Sequence, residues 1–99
     1  MSTAELGFSR PGLVFFYSPI SGASRRVEAF LAQVLQRRHN HGTFRLYRVD
    51  ERKRPDLVAR FRVEHVPSLY VVERKTVTAK LVGPRGSREI ERFLAPWLN

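Results

Sequence analysis

Two serines near the start of the sequence belong to a cluster of residue types that could do chemistry. The serines are the first and last residues of a tetrapeptide, Ser21, Gly22, Ala23 and Ser24. Two arginines, Arg25 and Arg26, follow the tetrapeptide directly. Hydroxyl and guanidinium groups suit a phosphate or a carboxylate, and a helix that begins here would add free backbone N–H groups. The simpler alternative is that one serine caps the helix. A serine nucleophile would need a neighbouring base, and the sequence shows none beside the tetrapeptide, so we expect no catalytic residue.

Histidines and carboxylates elsewhere form weaker patterns. His39 and His41 flank one asparagine, but two histidines without further ligands do not define a metal site, and a polar loop explains them better. The acidic residues between Asp50 and Asp56 are separated by arginines and a lysine, which disfavours a cation there. His65 could approach the tetrapeptide, although a surface or hydrogen-bonded histidine is the simpler interpretation. The sequence therefore predicts no metal and no cofactor.

Length and charge limit the classes of function. A chain of 99 residues makes one small domain, and its seven phenylalanines can help to fill a core. The net charge is +9, mostly from arginine, which suits an anionic partner such as nucleic acid. A solvated arginine-rich surface explains the same charge, because the basic residues are scattered along the whole chain.

Two absences narrow the chemistry and the location. The chain has no cysteine, which removes disulfides, thiolate chemistry and cysteine zinc sites together. No run approaches the roughly 18 apolar residues of a membrane span, and the first twelve residues lack the pattern of a signal peptide. We therefore expect a cytoplasmic protein with no membrane contact.

The elements that position the tetrapeptide follow from the hydrophobic pattern. Residues 1–12 are small and polar, and we expect a poorly ordered lead-in before a single domain at 13–99. Residues 13–17 form a continuous apolar run between turn residues, which is typical of a strand buried on both faces. From about Ser24 the apolar residues recur on one stripe of a helix, at Val27, Phe30, Leu31, Val34 and Leu35.

A second strand and a short helix follow. Residues 43–49 alternate between apolar and polar types, which predicts a strand with Phe44, Leu46 and Val49 in the core. Pro55 suits the first turn of a short helix.

The pattern in the last third of the chain predicts a β-hairpin and a helix. Residues 68–72 and 76–82 predict two strands joined by a polar turn, and Ser87 can cap a final helix. The whole order is β-α-β-α-β-β-α. It predicts a four-stranded mixed sheet with helices on both faces, in which the first two strands are parallel.

Together these elements resemble the thioredoxin family. In that family a buried strand leads into a Cys-x-x-Cys motif at the start of a long helix, as residues 13–20 lead here into the tetrapeptide. Later family positions are matched by Val49 and Asp50, by the stretch 61–68, and by Val82 and Gly83. The resemblance covers roughly residues 13–98, and this ordered set of motifs is more specific than any one of them.

The resemblance implies an α/β, thioredoxin-like fold and a binding groove. By resemblance, Pro67 is a cis-proline that faces the tetrapeptide and borders the groove in which the family binds extended peptides. The residues that the resemblance places along this groove are Ile20, Val66, Pro67 and Ser68. The implied partner is a protein or a peptide.

The departures from the family bear directly on function. Ser21 and Ser24 replace both cysteines, and Phe15 stands where thioredoxins carry a buried acid. A serine hydroxyl cannot form a reversible disulfide, so this sequence has no thiol-disulfide exchange chemistry. Three functions stay open: a redox-inactive module that binds a protein or peptide, a basic protein that binds anions or nucleic acid on the same scaffold, and the Cys-to-Ser form of a thiol-disulfide oxidoreductase.

Overall fold

The computed structural model describes residues 10–98, without the side chains of residues 38, 39 and 41. The predicted lead-in at 1–12 therefore falls largely outside the described residues, and so do the side chains of His39 and His41. Within the described part, the first strand already begins at Gly12.

Residues 10–98 form four strands and three α-helices in the predicted order. Their bounds are β1 Gly12–Tyr17, α1 Gly22–Gln36, β2 Arg45–Asp50, α2 Pro55–Arg60, β3 Ser68–Glu73, β4 Thr76–Val82 and α3 Ser87–Leu94. A 3-10 helix at Arg37–Gly42 joins α1 to β2. None of the helices in this part of the chain is long and apolar enough to cross a membrane.

The strands form one mixed sheet in the order β2-β1-β3-β4. Strand β1 pairs with β2 in parallel and with β3 antiparallel, and β3 and β4 form an antiparallel hairpin. Because β1 lies between two partners and is covered on both faces, its run of residues can be apolar without interruption. The predicted fold class, including the parallel first pair, is confirmed.

Alternate residues of β1 supply the two halves of the core. Leu13 and Phe15 face α1 and α3, in a cluster that also contains Leu31 and Ile90. Val14 and Phe16 face α2 on the other side, where they contact Val49, Tyr70 and the apolar residues around α2. The Phe16 ring lies 5.2 Å from the Phe61 ring and 5.4 Å from the Tyr70 ring, measured between centroids.

Two local predictions were wrong. Leu46 is 44% exposed, because β2 is an edge strand that the helices cover incompletely, whereas Phe44 and Val49 are buried as expected. Ser87 does not cap α3: the N-cap is Gly86, which has no side chain for the purpose. Glu89 in the first turn instead accepts a hydrogen bond at Oε1 from the amide of Arg85, the residue before the N-cap, at 3.1 Å.

Candidate functional site

The tetrapeptide forms the turn that connects β1 to α1. The Ser21 amide donates to the Ser18 carbonyl at 3.1 Å, which closes the turn. Ser21 is the N-cap of α1 in extended conformation, and its Oγ accepts from the Ser24 amide at 3.1 Å. This hydrogen bond satisfies one of the backbone donors that every helix start leaves free.

Ser24 stabilises the same turn from inside the protein. Its side chain is buried, and its Oγ accepts a hydrogen bond from the Ser18 amide at 3.0 Å. Each serine hydroxyl of the tetrapeptide is therefore bonded to a backbone amide of the turn. Among the described side chains of residues 10–98, no histidine or carboxylate bonds either hydroxyl, so these side chains supply no base that would activate a serine nucleophile.

The arginines beside the tetrapeptide are exposed. Two backbone donors that an anion could have used are already engaged, because Ser21 accepts from the Ser24 amide through its side chain and from the Arg25 amide through its carbonyl. The Arg26 guanidinium lies alongside the first turn of α1, where a β-carbon added to Gly22 would meet its Nη1 at 3.6 Å. Arg26 therefore faces the helix start, where it can reach a ligand beside the turn.

Pro67 lies in the segment that precedes β3. The Val66–Pro67 peptide bond is cis, and the Pro67 carbonyl accepts from the Gly83 amide at 2.9 Å. Gly83 has a φ of +56°, a left-handed conformation that glycine adopts without strain. The loop after β4 is thereby held against Pro67.

A small pocket of about 250 Å³ lies between Pro67, the loop after β4 and the first half of α1. We call it the proline pocket, and its lining consists of Ala23, Arg26, Phe30, Pro67, Gly83, Pro84 and Arg85. Its walls are mainly apolar, with two guanidinium groups among them. Of the described residues, the tetrapeptide contributes Ala23 to this lining, and Pro67 comes from the predicted groove.

The four predicted groove residues differ in exposure, and Pro67 is buried although it lines the proline pocket. Ile20 is 78% exposed and projects from the turn. Val66 is half-buried and packs against the α2 side of the core. Ser68 is fully buried, so its side chain is not part of the groove surface.

The buried Ser68 hydroxyl lies near the phenol of Tyr70. Its Oγ has no hydrogen-bond partner among the described residues. Burial raises the pKa of the Tyr70 phenol, and the Ser68 hydroxyl opposes this effect. The two hydroxyls are therefore neighbours without hydrogen-bond geometry, and Ser68 belongs to the core beneath the groove.

The backbone of Val66 is a further feature of the predicted groove. Val66 precedes β3, and among the described residues neither its N–H nor its C=O takes part in a backbone hydrogen bond. Buried or half-buried backbone groups are almost always paired in folded proteins. The Val66 N–H and C=O beside Pro67 therefore have no backbone partner among the described residues.

Sequence reasoning missed four residues of the proline pocket: Phe30, Gly83, Pro84 and Arg85. The sequence predicts Phe30 to be a core residue, because it falls on the apolar stripe of α1. In the structure Phe30 is only half-buried, and its exposed surface lines the pocket. The match of Val82 and Gly83 to a family motif was a usable signal for the loop. Nothing local indicated that this loop would meet α1. Among the side chains that the structure describes, no group of three or more potential metal ligands occurs.

This arrangement of sheet, cis-proline and strand-to-helix turn defines a thioredoxin-like protein. The family model described as thioredoxin matches residues 5–96, and the chain therefore belongs to the thioredoxin family. It is a member without cysteine, in which serines occupy the motif positions. A search of curated proteins finds no match.

Solved structures with the same fold are distant in sequence. Trxlp from Edwardsiella tarda EIB202 is similar with a TM-score of 0.78 and 19% identity, over 95% of this chain and 94% of that one. A malarial protein has a TM-score of 0.76 and 16% identity, over 92% and 100% of the two chains. A mutant thioredoxin from Halobacterium salinarum NRC-1 has a TM-score of 0.75 and 14% identity, over 92% and 77%. At these identities the similarity concerns the fold alone.

Proposed function

We propose that this chain is a redox-inactive thioredoxin-family protein that binds an extended segment of a partner protein. The binding site is the groove between the tetrapeptide turn and Pro67. The observation that carries the proposal is the backbone of Val66 at the edge of this groove, which is unpaired among the described residues. An extended peptide that lies antiparallel to Val66 can bond both its N–H and its C=O, as in strand addition.

The surroundings of Val66 supply side-chain subsites. Ile20 is an exposed apolar contact on one side, and the proline pocket accepts a small side chain on the other. Arg26 and Arg85 line this pocket, so a peptide with an acidic residue at that position is favoured.

The serines suit a binding role because they fix the turn without thiol chemistry. Ser21 and Ser24 hold the turn through hydrogen bonds to the Ser24 and Ser18 amides. The shape of the groove therefore does not depend on a redox state. A ligand meets the same surface under oxidising and reducing conditions.

A selection from a displayed library of random twelve-residue peptides would test this function. Selected peptides should bind the wild-type protein and shift the amide resonances of Ile20, Val66 and Arg85 in NMR titrations. Ile20→Asp should weaken binding by at least about tenfold, since it places a charge at an apolar contact. Val77→Asp is the matched control, because Val77 is an exposed aliphatic residue at the far end of β4.

Two results would count against the proposal. Peptides that bind Ile20→Asp as well as the wild type would place the site elsewhere. An absence of peptide binding, together with oligonucleotide binding that weakens steeply with salt, would favour the nucleic-acid alternative.

A further inference from the structure

Within residues 10–98, one face of the sheet is only partly covered. Helices α1 and α3 pack on one face, and the six-residue α2 covers part of the other. Three of the exposed large apolar residues pair directly with residues of this second face: Tyr47 with Val14, Val77 with Val72, and Val82 with Ser68. Because paired residues project to the same side of a sheet, these apolar side chains lie on the α2 side.

A groove of about 1190 Å³ occupies the uncovered part of this face, beside α2. We call it the α2-side groove. Its floor is apolar and is formed by Val14, Tyr47, Val49, Leu57, Phe61 and Val72. Tyr47 is 49% exposed, so the floor offers apolar surface to a ligand.

The rim of the α2-side groove is strongly basic. Seven of its 18 lining residues are arginine or lysine and two are acidic, so the groove attracts anions. Both acidic residues are engaged within the chain: Asp50 Oδ1 accepts from the Arg52 amide at 2.9 Å, and Glu73 Oε1 accepts from the Trp97 indole at 3.2 Å.

Part of the positive charge of the rim is also neutralised internally. Arg48 pairs with Glu28 on α1, and Arg54 pairs with Asp56. Among residues 10–98, no carboxylate forms an ion pair with Arg45, Lys53 or Lys75. These three cations are therefore available to a partner.

The available cations lie at both ends of the groove. Arg45 begins β2 and Lys75 lies in the turn between β3 and β4, both near the start of β1. Lys53 follows the end of β2, near the end of β1. Six strand residues separate the two ends by about 20 Å, so the groove suits an elongated ligand with negative charge along its length.

We propose that the α2-side groove docks an acidic amphipathic helix of a partner protein. A helix of about 14 residues is roughly 20 Å long, which matches the distance between the two cationic ends of the groove. An apolar stripe on that helix covers the floor, and carboxylates on its flanks meet Arg45, Lys53 and Lys75. This surface is separate from the peptide-binding site at Pro67.

The residues that precede Arg10 are the other possible occupant, because Arg10 itself lines the groove. This segment, MSTAELGFS, offers Leu6 and Phe8 but only one acidic residue. It cannot neutralise three cations, so the charge of the rim favours a partner over the chain's own terminus.

Two designed helical peptides would test the proposal on the full-length chain. Each has 14 residues with leucines on one face, and the other face carries glutamates in the first peptide and lysines in the second. Fluorescence anisotropy should detect binding of the glutamate peptide only, and NMR titration should place its contacts on β1, β2 and α2. Tyr47→Asp, at an exposed position of the floor, should abolish this binding.

Charge reversal gives a matched control. Lys53→Glu combined with Lys75→Glu should weaken binding by at least about tenfold. Arg88→Glu combined with Arg92→Glu makes the same change of net charge on α3, on the opposite face, and should leave the affinity within about twofold.

Four results would overturn the proposal. Equal losses in the two double variants would indicate unspecific attraction to the net charge. Equal binding of the lysine peptide would remove the role of the basic rim. Displacement of the peptide by an oligonucleotide that shifts the same amides and binds more tightly would identify a nucleic-acid surface instead. Binding that appears only in a Phe8→Asp variant would show that the chain's own terminus occupies the groove.

Discussion

Replacing Ser24 by alanine should destabilise the protein through a single backbone amide. Ser24 is 3% exposed, and its hydroxyl accepts from the Ser18 amide at 3.0 Å. Its removal leaves that part-buried amide without its partner, which costs about 1–3 kcal/mol. Alanine returns about 0.5 kcal/mol through its higher helix propensity. We therefore expect a net loss of about 0.5–2.5 kcal/mol in the free energy of unfolding. Each kcal/mol lost lowers Tm by roughly 4–8 °C for a domain of this size.

Urea unfolding followed by circular dichroism measures this loss, and the slope m should stay unchanged. Ser87→Ala is the control, because Ser87 also lies at a helix start but makes no capping hydrogen bond, so its effect should stay within about 0.5 kcal/mol. If Ser24→Ala were as stable as Ser87→Ala, the Ser18 amide would not depend on the hydroxyl, and the structural role given to Ser24 would be refuted.

Three further predictions concern titration and thiol chemistry. Burial raises the pKa of Tyr70 above its usual value of 10.0, so the folded protein holds this proton more tightly than the unfolded chain, and stability should fall as the pH rises above about 10. Tyr70→Phe should reduce that fall in alkaline denaturation experiments, and an unchanged curve would contradict the assignment. The hydrogen bond from Arg54 lowers the pKa of Asp56 to about 2. An NMR titration of Arg54→Ala should find a midpoint shifted towards 3.8, and an unshifted midpoint would exclude this cause. Ser21→Cys combined with Ser24→Cys should form an internal disulfide under mild oxidation, since Ser21 Oγ already lies 3.1 Å from the Ser24 amide. A thiol assay should then find no free thiol, and two free thiols would show that the turn cannot close the bond.

The fold could be predicted from sequence because its signals are local. The apolar run at 13–17 indicated a strand covered on both faces, and β1 occupies the centre of the sheet. The apolar stripe beginning at Val27 indicated α1, and four of its five residues are buried. Leu46 was assigned wrongly, because alternation indicates which side of a strand a residue faces but not whether that strand lies at an edge.

The candidate site was predictable only in part. The tetrapeptide and Pro67 were identified by position in the chain, but the burial of Ser68 depends on how β3 inserts into the sheet. The lining of the proline pocket comes from segments far apart in sequence, as with Phe30 and Arg85. No local sequence pattern predicts this contact between α1 and the loop after β4, because it results from tertiary packing.

The sequence by itself determined that this chain has the elements of a thioredoxin fold and no thiol at the motif positions. Hydrophobic periodicity and residue identity are properties of the sequence, and they do not depend on which helices pack against which strands. Only the tertiary structure decided that the two serine hydroxyls bond backbone amides of their own turn. It also decided that residues 10–98 leave an open, basic-rimmed groove on the α2 side of the sheet, since the coverage of a face depends on the length and placement of the helices that reach it.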